Sequence, residues 1–122
     1  MNIKHSFDFD YNEEDDILTI NRPDSVFKDT EEVNDYLIYG FDKYGCVSHV
    51  EISDVTNFIK DIFDIKIPRE FLKSLKKIEL EQREFRNTHF FVIWFKSEKF
   101  GSKLQQQLPP SNNYKSPLLS CK

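Results

Sequence analysis

Glycine and cysteine are scarce in this chain of 122 residues, and each shortage removes a class of function. With only three Gly, a glycine-rich loop that wraps backbone N–H groups around a phosphate is not available. Two cysteines, Cys46 and Cys121, are too few for a disulfide framework, and without a Cys-x-x-Cys pair they make neither a zinc site nor a redox motif. Cys46, with no basic neighbour to lower its pKa, is expected to pack as a small apolar side chain. Neither G-x-S-x-G nor H-E-x-x-H occurs, so the commonest nucleophile and metalloprotease signatures are missing. No apolar run approaches the ~20 residues that a membrane-spanning helix requires. The opening Met1-Asn2-Ile3-Lys4-His5-Ser6 leads into alternating Phe and Asp rather than an apolar signal core, which predicts an intracellular protein with no membrane partner.

What the chain does have is aromatic and charged. Apolar residues make up 39%, charged residues 31% and aromatics 15%, with twelve Phe among them, a balance that suits one globular core. The net charge of −4 conceals two halves of opposite sign. Through Ile67 there are 16 Asp and Glu against 6 Lys and Arg; from Pro68 onward there are 5 against 11. The reading is an acidic sheet facing a basic helical segment within one fold, and the pI of 5.4 points away from nucleic acid.

Hydrophobic periodicity lays out the elements. Ile3, His5, Phe7 and Phe9 alternate with polar residues as in a half-buried strand. The acidic stretch from Asp10 to Asp16 forces a hydrated reversal, and Ile17-Leu18-Thr19-Ile20 returns. Val26 to Val33 reads as a charged edge strand. Residues 36–41 and 46–52 flank Asp42-Lys43-Tyr44-Gly45 as a hairpin. Ser53 or Asp54 is placed to cap a helix whose stripe is Val55, Phe58, Ile59, Ile62 and Phe63. Pro68 opens a second helix, expected to run to about Gln82 with Phe71, Leu72, Leu75 and Ile78 inward and Lys73, Lys76 and Lys77 outward. Phe90 to Phe95 is an unbroken apolar run that reads as a strand covered on both faces. The Gln-, Pro- and Asn-rich stretch that follows reads as a disordered tail. The expected fold is α+β: an antiparallel β-meander of about five or six strands, two helices on one face, a single domain over 1–100 and a flexible tail over 101–122.

The segment Tyr11-Asn12-Glu13-Glu14-Asp15-Asp16-Ile17-Leu18-Thr19-Ile20 resembles the family called domain of unknown function twenty-two eighty-three, whose pattern there is Y-D-x-E-x-D-x-L-Y-I. The likeness continues in register through Glu31-Glu32-Val33-Asn34-Asp35, Leu37-Ile38, Asp42-Lys43-Tyr44-Gly45 and Val50-Glu51-Ile52-Ser53-Asp54, and covers about residues 7–58. Asn12, Tyr36 and Gly40 depart from it. The resemblance implies a β-meander capped by a helix, no established activity, and an antitoxin-like or partner-binding role.

Candidate chemistry is sparse. Asp10, Asn12 and Glu14 suggest a cation loop, but an EF-hand needs Gly where Asp15 stands and Glu where Asn21 stands. His49 and Glu51, two apart on a strand, point to one face and form the candidate acid–base pair of a small hydrolase or metal-dependent enzyme. No nucleophile accompanies them, and no cofactor is implied. The leading expectation is a non-catalytic module that self-associates or binds a protein through Phe91, Ile93 and Phe95, with Lys73, Lys76 and Lys77 at its rim. Nucleic-acid binding through Lys73, Lys76, Lys77, Arg83 and Arg86 is the remaining alternative.

Overall fold

The computed structural model describes residues 2–23, 26, 29–85, 88–98 and 103–111. Its elements are β1 (Asn2–Asn12), β2 (Ile17–Asn21), β3 (Asp29–Glu32), β4 (Leu37–Phe41), β5 (Val47–Ser53), α1 (Val55–Phe63), α2 (Pro68–Lys73), β6 (Leu75–Phe85), β7 (Thr88–Ser97) and β8 (Lys103–Ser111). The strands form one antiparallel sheet in the order β3-β4-β5-β2-β1-β6-β7-β8.

That sheet curls on itself, and β1 is the corner. Asp8 to Asn12 pair with β2, whereas Asn2 to Phe7 pair with β6, so one strand serves both layers. The layers meet through aromatic rings. Tyr39 of β4 lies edge-on to Phe91 of β7 with centroids 4.8 Å apart, and the Tyr39 hydroxyl donates to the Pro109 carbonyl of β8 at 2.7 Å. The interior is a single cluster that includes Leu18, Ile20, Tyr39, Phe41, Val50, Ile52, Ile78, Leu80, Phe91, Ile93 and Phe95. The two short helices add Val55, Ile59, Phe71 and Leu72, and the rings of Phe63 and Phe71 stand edge-on to Phe95 at 5.8 and 6.0 Å.

The expectation of an α+β meander with five or six strands is corrected to a mostly-β fold of eight. Three changes of reading account for this. The helix expected over 68–82 stops after Lys73, and Ser74 caps it with φ of −98° and ψ of 9°, its N–H donating to the Glu70 and Phe71 carbonyls and its hydroxyl to that of Phe71. Beyond a bulge at Leu75 to Lys77, buried Ile78, Leu80 and Gln82 alternate with half-buried Glu79, Glu81 and Arg83, a period of two. The stretch 103–111, expected within a disordered tail, is β8; residues 112–122 lie outside the described residues. Finally β2 pairs with β5 rather than β3, so the first half is not a meander.

The Phe-rich run is inserted between β6 and β8, which covers both its edges. Phe91, Ile93 and Phe95 face the core with no exposure, and Val92 is buried on the opposite face. Of the edge strand read over 26–33, Asp29–Glu32 is β3, and residues 27–28 lie outside the described residues. Among the described residues no helix is long and apolar enough to cross a membrane.

Candidate functional site: an apolar seam beside an open sheet edge

The sequence candidates do not converge. Asp10, Asn12 and Glu14 are all exposed at the β1–β2 turn, where the Asn12 side chain is spent on the turn itself: Oδ1 accepts from the Asp15 N–H and Nδ2 donates to the Asp15 carboxylate, both at 3.1 Å. Among the described residues no three acids, histidines or cysteines are grouped to hold a metal. His49 and Glu51 do share the outer face of β5, and the imidazole also meets Asn21, whose Oδ1 lies 2.6 Å from Nδ1 across the β2–β5 pair. Partial burial holds the His49 pKa below its usual value, against a smaller opposing pull from Glu51. Cys46, read as a packed thiol, is instead disulfide-bonded and fully buried, which removes it as a nucleophile. The sequence has one other cysteine, Cys121, which lies outside the described residues.

The cations expected to line a basic helix are dispersed and matched. Lys73 ends α2 and pairs with Glu13 at 3.0 Å; Lys76 and Lys77 straddle the β6 bulge and pair with Glu98 at 3.3 Å and Glu79 at 3.9 Å. Arg83 bonds Glu81 through Nε at 2.6 Å. Arg86 lies outside the described residues. The acidic and basic halves do touch, through Glu13 with Arg69 and Lys73, but these are exposed pairs worth at most about 1 kcal/mol each. Because Phe91, Ile93 and Phe95 are core residues, they do not build the docking surface foreseen for them.

A different surface stands open. The sheet ends on one side at β8, and between β8 and the start of β4 runs a cleft of about 530 Å³ lined by Tyr36, Leu37, Phe58, Ile62, Gln106 and Leu108. A second hollow of about 300 Å³ shares Tyr36, Phe58 and Ile62 and is rimmed by Asp54, Asn57 and Asp61. Two large apolar side chains lie open there: Tyr36 is 51% exposed and Ile62 39%.

The local sequence explains both. Along α1 the five apolar residues form one stripe, of which Val55 and Ile59 are buried, while Ile62 in the last turn stays exposed and lines the cleft. Tyr36 is held by its backbone. The Asn34 side-chain oxygen accepts from the N–H groups of Tyr36 and Leu37 at 2.8 and 2.9 Å, and the Tyr36 carbonyl accepts from the Ser53 N–H at 2.8 Å. The third wall is β8 itself, whose outer edge pairs with nothing among the described residues.

Sequence reasoning missed Tyr36 and β8. The available signal was the alternation Leu104, Gln106, Leu108, closed off by Pro109-Pro110, which is a short strand pattern hidden in a polar composition. Comparison with protein-family models, with curated proteins and with solved structures finds no significant match, so the resemblance over residues 7–58 stands on its motifs alone.

Proposed function

We propose that the protein is a non-catalytic interaction module that docks a protein segment in the seam between β8 and α1. One observation carries this reading: apolar Tyr36 and Ile62 lie exposed beside β8, which ends the sheet and pairs with no further strand among the described residues. Such an edge supplies main-chain hydrogen bonds, and the neighbouring cleft supplies the pocket for side chains of the added strand. The antitoxin-like or partner-binding role implied by the family resemblance is of the same kind. An enzymatic role would need a nucleophile or a metal next to His49, and the Asn21 contact and the disulfide at Cys46 both weigh against one.

The test is site-directed photo-crosslinking in cells that express the protein. A photo-reactive residue in place of Ile62 should give a protein adduct of defined mass, while the same probe at exposed Lys43 on the β4–β5 turn should not. Equal labelling at both positions, or no adduct at Ile62, would sink the proposal.

A further inference from the structure

We infer that the occupant of the seam is a second copy of this chain, joined edge to edge through β8 about a two-fold axis at Gln106. The inference rests on the docking reading above and names its partner. The sheet has two ends, and they differ in charge. At β3 the residues are Asp29-Thr30-Glu31-Glu32, three carboxylates in four positions, and two such edges repel. At β8 the five residues Leu104-Gln105-Gln106-Gln107-Leu108 carry no charge, and Pro109-Pro110, which lack N–H groups, set where pairing stops.

Those five residues read the same in both directions. When a strand pairs antiparallel with its own copy about a two-fold axis, each position meets its mirror position. With Gln106 on the axis, Leu104 falls opposite Leu108 of the second copy, Gln105 opposite Gln107, and Gln106 opposite itself. Like therefore meets like at every step, and the exposed amides of Gln105 and Gln107, each both donor and acceptor, face one another across the axis. Gln105 and Gln107 are exposed on the outer face, opposite Trp94 and Val92 of β7, and a local bond at this point, from the Gln106 amide to the Gln107 carbonyl at 2.9 Å, is displaced by the new pair. The cleft lies against the same edge, so closing the edge brings apolar surface over Tyr36 and Ile62.

Light scattering and sedimentation should show a monomer–dimer equilibrium for the native chain between low and high micromolar concentration. The register is tested by charge. Gln105→Lys with Gln107→Lys places two cation–cation pairs across the axis and should weaken dimerisation roughly ten- to thirtyfold at low salt. Gln105→Lys with Gln107→Glu places each new cation opposite a new anion and should leave the dimer at least as tight as the native one. Both side chains are exposed, so circular dichroism and melting should show both variants folded. A dimer whose affinity is the same in all three chains overturns the inference, as does a native chain that stays monomeric throughout. If the native chain is monomeric while the probe at Ile62 captures a heavier or lighter protein, the docking reading stands and the second copy is wrong; no dimer and no adduct removes both.

Discussion

The carboxylate of Asp16, in the β1–β2 turn, takes two hydrogen bonds from Thr56 on α1, 3.3 Å from its N–H and 2.6 Å from its hydroxyl. The Asp16 carbonyl also accepts from the Val55 N–H at 3.2 Å, and its carboxylate accepts from the Tyr11 hydroxyl at 3.1 Å. The cap of α1 thus comes from a turn 40 residues earlier and not from Asp54, which occupies the cap position with φ of 51° and makes no side-chain cap bond. This single residue fastens the helix that forms one wall of the seam to the corner strand.

Asp16→Ala is expected to cost about 1–2 kcal/mol of folding free energy, the worth of a lost cap with its buried-side partners. Asp16→Asn, which keeps one acceptor oxygen, should cost less. Urea denaturation of Asp16→Ala, Thr56→Val and the double variant should show marked non-additivity, and additive losses would mean that the two residues act separately.

Tyr39 joins the layers by its hydroxyl, and burial pushes its pKa well above the usual 10. The unfolded chain therefore ionises this phenol first, so the contribution of Tyr39 is intact below about pH 10 and is lost as pH climbs beyond it. Tyr39→Phe should cost about 1 kcal/mol at neutral pH and make the alkaline fall in stability shallower. An unchanged alkaline profile in that variant would show that another group governs it.

His49 works in the opposite range. Its folded pKa lies below 6.5 because burial disfavours the cation, so the unfolded state takes up the proton first as pH falls. Stability should decline on going from neutral to mildly acidic solution, and His49→Gln should blunt the decline. Nuclear magnetic resonance of the ring gives the direct check: a midpoint above 6.5 contradicts the assignment.

Cys46 is the only cysteine among the described residues and it is oxidised. A reducing agent should lower the melting temperature, by an amount equivalent to about 2–4 kcal/mol if the bond behaves as most do. Cys46→Ser should melt like the reduced protein and show no further response to reductant. Identical melts with and without reductant would rule out a structural part for the bond.

Much of the first half was legible in the sequence because its strands are apolar and its turns carry polar residues: β2, β4 and β5 fall on segments read as strands, with Leu18 and Ile20, Tyr39 and Phe41, Val50 and Ile52 facing inward. The second half misled for physical reasons. Phe71, Leu72, Leu75 and Ile78 satisfy a helical stripe, and nothing in their spacing reveals that Ser74 and Ser97, 2.6 Å apart, bring the two ends of the β6–β7 pair together. Glu79 and Arg83 look like a helical i, i+4 pair, whereas on a strand Arg83 reaches Glu81 two residues away. For β8 the difficulty was composition. A strand at a sheet edge takes its hydrogen bonds from its neighbour, and polar Gln105 and Gln107 can stay exposed while Leu108 is buried. The seam could not be read at all before the curl of the sheet was known, since Tyr36 and Gln106 are far apart along the chain and become neighbours only in three dimensions.

The divided pairing of β1 also bears on how the molecule is made. Phe9 can find Ile20 as soon as the first hairpin leaves the ribosome, but Ile3 has no ladder partner until Gln82 has been synthesised. For most of translation the front of that strand is therefore an orphan, and a chain stalled before β6 presents it to chaperones or to its neighbours.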